Sequence, residues 1–143
     1  MPRADFYLIQ KERFREEPLL LVCELARKAY AAGLPTLVLA RDTAQAEALD
    51  DLMWSFDPDE FLPHQIAGGD GDEEDALCPI LIATPDMDIA ARPLLLNLRD
   101  DAPAGSFDRV LEVVPADPAA RDPLRARWKH YQSLGFELQK FDM

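Results

Sequence analysis

The chain has 143 residues, of which 48% are hydrophobic, and this suits one domain around a single buried core. Its formal net charge is -12, and its isoelectric point is near 4.4. Such a surface repels phosphate backbones, which argues against broad, non-specific DNA binding. We therefore expect one domain over residues 1–143 that does not coat DNA.

Targeting signals and cysteine frameworks are not evident. Residues 1–10 lack the charged segment and apolar core of a signal peptide, and no apolar run approaches the roughly 20 residues that span a bilayer. We expect a cytoplasmic protein. Cys23 and Cys78 are too few for a disulfide framework or a four-ligand zinc site, and we expect both to be core or near-core thiols.

The first third of the chain alternates predicted strands and helices. Residues 5–10 have the aromatic and branched content of a short strand. Residues 18–32 repeat apolar side chains every three or four positions, with Pro18 suited to a first helical turn and Gly33 to a left-handed stop. The apolar run 36–40 predicts the second strand.

The middle of the chain continues this alternation. Asp42 or Thr43 caps a second predicted helix, whose apolar residues are Ala46, Leu49, Leu52 and Met53. Residues 79–83, 94–98 and 109–114 predict further strands that are mostly too apolar for a sheet with one solvent-exposed face. They suit the middle of a sheet covered on both sides.

The last part of the chain predicts a helix and an edge strand. Asp117 followed by Pro118 marks a helix start, the helix runs to about Leu134 before Gly135, and residues 136–141 could form the strand. Alternating strands and helices indicate an α/β domain. We predict a three-layer, Rossmann-like fold with a largely parallel central sheet, without internal repeats or linkers.

Two connections, residues 55–79 and 99–106, are polar or glycine-rich and long enough to be functional surfaces. Within the first, the acidic stretch 68–75 faintly resembles a calcium loop. The stretch has no glycine at the position that a calcium loop requires, and the glutamate that closes such a loop is absent. We interpret it as a solvated acidic loop.

Nucleotide-binding and catalytic signatures are absent. Residues 11–18, after the first strand, contain no glycine for close phosphate approach, and the chain has neither a G-x-x-x-x-G-K-[ST] loop nor a G-x-G-x-x-G turn. His64 and His130 are far apart, and neither pairs with a cysteine or aspartate at metal-ligand spacing. We predict no catalytic, cofactor or metal site, and we interpret His64 as a hydrogen-bonded structural residue.

Residues 121–131 concentrate positive charge. Against a single acid, Asp122, they carry Arg121, Arg125, Arg127 and Lys129. On a helix, Leu124, Trp128 and Tyr131 form one apolar stripe, and three of the basic residues, four positions apart, line its flank. This boundary suits a short peptide that ends in a hydrophobic residue and a free carboxylate. The alternative is an ordinary amphipathic helix whose arginines lie at the rim of the core.

Large apolar residues form a second candidate patch around Pro58 and Pro63: Trp54, Phe56, Phe61 and Leu62. A loop with this composition either folds back onto the core or contacts another protein. The sequence leaves both interpretations open.

Segments over nearly the whole chain resemble the chi subunit family of bacterial DNA polymerase III. They are the opening FYL, VCELARKAYAAG, LDDLMWSFDPDEFLPHQIAG, LLLNL and RARWKHYQSLGFEL. The most specific motifs are the tryptophan followed by F-[LV]-P-H and A-G, and R-x-R-[YW]-K-x-Y ahead of G-F. The resemblance implies a fold like a nucleotide-binding domain that lacks the nucleotide site.

The resemblance also implies a non-catalytic role and two partners. One is the carboxyl-terminal tail of single-stranded DNA-binding protein, an acidic peptide with an apolar end. The other is the psi subunit, which tethers chi to the clamp loader, so that contact with DNA is only indirect. By position, the tail-binding residues are Val114, Arg121, Arg125, Trp128 and Lys129, supported by Tyr131 from the core side. The psi-facing residues are Trp54, Phe61 and Leu62.

Two alternative functions remain open on the sequence alone. One is a degenerate nucleotide-binding or nucleic-acid-processing enzyme, which would bind ATP rather than an acidic peptide. The other is direct DNA binding through the helix at residues 121–131, which would have to overcome the net charge of -12.

Overall fold

A computed structural model describes residues 2–56, 62–67, 77–87, 89, 92–103 and 107–143. Strands β1 to β7 span Arg3–Leu8, Thr36–Leu39, His64–Ile66, Ile80–Ala83, Leu94–Asn97, Arg109–Val114 and Glu137–Asp142. Helices α1 to α4 span Glu12–Glu16, Pro18–Ala31, Thr43–Ser55 and Arg121–Ser133, and a 3-10 turn at Pro118–Ala120 leads into α4. None of the helices in these ranges has the length and apolar content to cross a membrane.

The strands form one parallel sheet in the order β3-β4-β2-β5-β6-β1-β7. Strand β1 lies between β6 and β7, with Leu8 beside Val114 on one side and Asp142 on the other. Because the strands are parallel, their carboxyl ends meet along one edge of the sheet. The α/β, Rossmann-like class is confirmed, and β7 is the edge strand that the sequence predicted.

Side-chain caps begin two helices where the sequence predicted them. At the start of α3, the Asp42 carboxylate accepts a hydrogen bond from the backbone N–H of Gln45 at 2.8 Å. The Asp117 carboxylate accepts one from the backbone N–H of Ala119 at 3.0 Å. Because the chain first makes a 3-10 turn there, α4 itself begins only at Arg121.

Two helices end at glycines in the left-handed region of backbone conformation. Gly33, with a φ of 72°, follows α2, and Gly135, with a φ of 81°, follows α4. Any other residue would be strained at such a φ, so glycine stops both helices where the sequence predicted.

Two short elements lie where the sequence analysis predicted connections. Helix α1 lies within residues 11–18 and has one buried residue, Phe14. Strand β3, which begins at the buried His64, has three residues within the predicted connection 55–79. Neither element is long enough to repeat an apolar period, which is why the pattern did not predict them. The acidic stretch 68–75 lies outside the described residues.

Helices cover both faces of the sheet, which confirms the three-layer prediction. On one face, Phe14 of α1, Val22 of α2 and Leu49 of α3 share a buried cluster with residues of the central strands. On the other face, Tyr131 of α4 packs with Phe6 of β1. Burial of these apolar surfaces is the main stabilising contribution to the fold.

Both cysteines lie where the sequence predicted. Cys23 of α2 is buried in the core, and Cys78 is partly buried before β4, where its thiol donates to the Ile80 carbonyl at 3.2 Å. Burial raises the pKa of the Cys23 thiol from 9.0 to about 12.

Candidate functional site

Helix α4 has a charged face exposed to solvent and a buried face that packs on the sheet. Its exposed basic residues are Arg121, Arg125 and Lys129, Trp128 is half-buried, and its buried residues are Arg127 and Tyr131. In the sequence, Arg127 is part of the positive charge of residues 121–131. The structure instead turns it into the core, so three basic residues of α4 form its exposed cationic face.

Arg127 belongs to a buried polar network centred on Glu112 of β6, which is fully buried. The Arg127 Nε donates to Glu112 Oε1 at 3.0 Å, and the Tyr131 hydroxyl donates to Oε2 at 2.6 Å. The Asn97 side-chain amide donates to both carboxylate oxygens at 3.0 and 3.2 Å. Burial raises the pKa of the Glu112 carboxyl. The pKa of the Tyr131 hydroxyl is raised mainly by burial and, to a smaller extent, by the negative charge of Glu112.

This network fixes the rotation of α4 on the sheet, because one arginine and one tyrosine of the helix both reach the same carboxylate. Arg127 also donates to the backbone carbonyl of Asp100 at 3.0 Å. A glutamate in the middle of the apolar strand 109–114 was the available sequence signal, since a buried carboxylate requires a partner.

A groove of about 280 Å³ lies between α4 and the edge of the sheet. Its apolar surface is formed by Phe6, Leu8, Leu124 and Trp128, and its basic residues are Arg125, Lys129 and Lys140. The Trp128 ring lies 5.1 Å from the Phe6 ring, centroid to centroid, so Trp128 both packs on the core and lines the groove. Three of the predicted tail-binding residues therefore meet at one apolar cavity with a basic rim.

Lys140 is a groove residue that the sequence analysis missed. It is the register partner of Phe6 in the pairing of β7 with β1. Because both belong to parallel neighbours, Lys140 shares the α4 face of the sheet with Phe6. Leu138 and Lys140, two positions apart, share one face of the predicted edge strand, which was a signal, but the sequence did not identify the neighbouring strand.

The other two predicted tail-binding residues, Val114 and Arg121, line a second cavity of about 330 Å³. This cavity shares Leu8 and Leu124 with the groove at Trp128. Val114 is buried at the end of β6, and Arg121 is exposed at the start of α4. The five predicted residues thus line two adjoining cavities rather than one.

The second candidate patch divides into a buried and an exposed part. Leu62 is 3% exposed and belongs to the core, whereas Trp54, at the end of α3, is 58% exposed. The half-buried ring of Phe56 packs on the core and lies 5.9 Å from the Arg27 guanidinium carbon. Phe61 lies outside the described residues.

His64 is a hydrogen-bonded structural residue, as the sequence analysis predicted. Its buried Nδ1 donates to the Leu62 carbonyl at 2.6 Å, since a carbonyl oxygen can only accept. Its Nε2 lies 3.2 Å from an Asp50 carboxylate oxygen, and its ring lies edge-on to Trp54 at 5.0 Å. The imidazole is held in place by its neighbours beneath the exposed tryptophan.

A third cavity, of about 300 Å³, lies at the carboxyl ends of β2, β5 and β6, where folds of this class bind nucleotides. Arg99 crosses this edge, donating to the Ala40 carbonyl at 2.9 Å and the Ala83 carbonyl at 3.2 Å. The described lining residues include no glycine. Among the residues that the structure describes, no cluster of three or more potential metal ligands occurs.

Sequence comparison decides the family. The family model described as "DNA polymerase III chi subunit, HolC" matches residues 1–139. The chain belongs to this chi subunit family. The DNA polymerase III subunit chi of Pseudomonas aeruginosa is 36% identical over 141 residues, which cover 97% of this chain and 95% of the relative. That of Escherichia coli K12 is 31% identical over 144 residues, with 96% of each covered. The resemblance is confirmed, and the chi subunit is an accessory subunit of DNA polymerase III in replication.

Structural comparison confirms the Rossmann-like fold of this chi-family chain. The C-terminal domain of the DEAD-box protein Dbp5 superposes with a TM-score of 0.63 at 15% identity, covering 99% of this chain and 90% of that domain. Saccharomyces cerevisiae Dbp5 bound to RNA and ADP BeF3 gives a TM-score of 0.61 at 14% identity, covering 99% of this chain and 41% of Dbp5. Likeness at this level of identity concerns the fold alone.

Proposed function

We propose that this chi-family chain is a non-catalytic adaptor that links the clamp loader to the carboxyl-terminal tail of single-stranded DNA-binding protein. The groove between α4 and β7 carries this proposal. It combines an apolar surface, from Phe6 and Trp128, with the basic residues Arg125, Lys129 and Lys140. An apolar last residue and a free carboxylate match these two chemistries.

The charge of the chain makes this match specific. The whole protein carries -12, yet the described residues that line the groove include three cations and no acid. An acidic peptide is therefore repelled at long range and attracted only near this groove. The same net charge disfavours direct DNA binding through α4.

The decisive experiment is calorimetric titration of the intact chain with the tail peptide of single-stranded DNA-binding protein from the same organism. We expect saturable binding at a one-to-one ratio. A tail peptide with an amidated carboxyl terminus is the control, and it should bind more weakly. Absence of binding by the unmodified peptide would overturn the proposal.

The proposed psi contact centres on Trp54, which is 58% exposed. Leu62 would support this contact from the core rather than touch the partner, since it is 3% exposed. Co-purification of the intact chain with clamp-loader proteins from native lysate is the test. Recovery of psi with the parent but not with Trp54→Ala supports this contact, and equal recovery with both opposes it.

A non-catalytic role is the alternative to a degenerate nucleotide-binding enzyme. The position of Arg99 supports the non-catalytic role, because its guanidinium lies across the carboxyl edge of β2 and β4 and donates hydrogen bonds to backbone carbonyls there. Titration with ATP in parallel with the tail peptide separates the two functions. Nucleotide affinity combined with indifference to the peptide, or turnover abolished by a point change in the chain, would reverse the assignment.

A further inference from the structure

The groove at Trp128 does not end at α4. Leu8 of β1 and Leu124 of α4 line both this groove and the cavity at Arg121, so the two cavities adjoin at this apolar pair. The second cavity, of about 330 Å³, also has Arg15 of α1 on its lining. Helix α1 therefore contributes to a surface for which the sequence predicted residues of β6 and α4 only.

The second cavity has the charge that an acidic segment needs. Arg15 and Arg121 are both exposed and line it from different helices. Asp117 is the one acid among its described lining residues, and its carboxylate already accepts the backbone N–H of Ala119 at 3.0 Å. Two cations therefore face this cavity in a chain whose net charge is -12.

The length of the combined surface fits a short extended peptide. Arg121 and Lys129 are eight residues apart on α4, which corresponds to about 12 Å along the helix axis. An extended chain rises about 3.3 Å per residue, so about four peptide residues span this distance.

We propose that Arg15 and Arg121 form an acidic-residue subsite that binds the carboxylates preceding the apolar end of the tail. This inference rests on the proposed function of the groove. The last residue and its free carboxylate occupy the cavity at Trp128 and Arg125. The preceding residues pass over Leu8 and Leu124 into the second cavity, where Arg15 selects acidic side chains.

The test uses two variants of α1 with the same loss of charge. Arg15→Gln removes the proposed contact. Arg13→Gln is the matched control, because Arg13 faces α2, where its Nη2 lies 2.8 Å from the Glu24 carboxylate. The probes are a synthetic peptide of four aspartates ending in phenylalanine, and the same peptide with asparagines in place of the aspartates. Affinities are measured by calorimetry at low and at physiological salt.

We expect Arg15→Gln to weaken binding of the aspartate peptide by about threefold at low salt, as for an exposed charge pair, and less at higher salt. Arg13→Gln should bind like the parent, and the asparagine peptide should not distinguish Arg15→Gln from the parent. If the parent binds the aspartate peptide and both variants bind it equally, the subsite is wrong while the groove stands. If the parent binds neither peptide, the proposed function itself fails and the subsite with it.

Discussion

Arg127 and Glu112 form a buried ion pair, with Nε 3.0 Å from Oε1, that joins helix α4 to strand β6. Their side chains are 7% and 0% exposed. Arg127 lies between Arg125 and Trp128 in sequence, but it lines the cavity at the carboxyl ends of the strands rather than the groove. The pair therefore holds the helix in the rotation that exposes the groove residues.

Loss of Arg127 should destabilise the protein strongly. Arg127→Met leaves the Glu112 carboxylate buried without its cation, which commonly costs about 3–5 kcal/mol of the free energy of unfolding. Urea unfolding followed by circular dichroism measures this cost. Arg125→Met, the same change at an exposed position of the same helix, should leave the free energy of unfolding nearly unchanged.

The contributions of Glu112 and Arg127 to the free energy of unfolding should be coupled. The double variant Glu112→Leu with Arg127→Met removes both charges from the interior, so it should cost less than the sum of the two single changes. Strictly additive losses would mean that the ion pair does not hold α4 on the sheet.

Arg125 should contribute the electrostatic part of tail binding. A hydrogen bond to a charged group contributes about 1.5–3 kcal/mol, so Arg125→Ala should weaken tail-peptide binding by about tenfold or more. Added salt should weaken binding of the parent more than binding of the variant. Calorimetry decides this once circular dichroism has verified folding. Equal affinity of the folded variant and the parent would exclude this groove as the site. Arg121→Ala and Lys129→Ala should give further, smaller losses by reducing the local positive field.

Trp128 should contribute the apolar part. Trp128→Ala should lose at least about thirtyfold in affinity for the tail peptide while keeping the salt dependence of the parent, because truncation of an aromatic anchor commonly costs about 2 kcal/mol or more. Trp128→Phe should retain much of the affinity, since a ring still packs on Phe6. If the Ala variant loses the salt dependence instead, the division of roles between Trp128 and Arg125 is wrong.

Substitutions at Trp54 and Leu62 should distinguish loss of a partner contact from loss of core stability. Trp54→Ala should impair binding on the clamp-loader side with a small change in melting temperature, because the ring is 58% exposed. Leu62→Ala should cost about 2–5 kcal/mol of stability, because Leu62 is a core residue. Phe61→Ala should also impair the partner contact. A melting temperature of Trp54→Ala as low as that of Leu62→Ala would remove the support for a contact there.

Stability should fall at alkaline pH. The pKa of Cys23 rises from 9.0 to about 12 on folding, so between these values the folded state holds a proton that the unfolded state has lost. This contribution is fully present below pH 9.0 and is lost as pH approaches about 12, at a rate of up to about 1.4 kcal/mol per pH unit. Urea unfolding of Cys23→Ala across this range should show a shallower decline than the parent, and identical slopes would contradict the assignment. Tyr131, whose pKa burial also raises, should add to the decline in both proteins.

Most of the fold was predictable from local pattern. Helix α2 follows from apolar spacing between Pro18 and Gly33, and strand β6 matches the predicted run 109–114 residue for residue. These signals lie within one element and its caps, which is why a single sequence carries them. Helix α1 and strand β3 were missed because such short elements depend on packing rather than on their own period.

The sequence by itself determined the face of α4 that carries Arg125, Trp128 and Lys129, because their spacing along one helix is a local property. Only the tertiary structure decided that Arg127 turns inward, since its partner Glu112 is on a separate strand. The same holds for Lys140 and Arg15, which reach the groove and its extension from β7 and α1. A cavity is formed by elements distant in sequence, and their neighbourhood is set by strand order and packing, which no local pattern records.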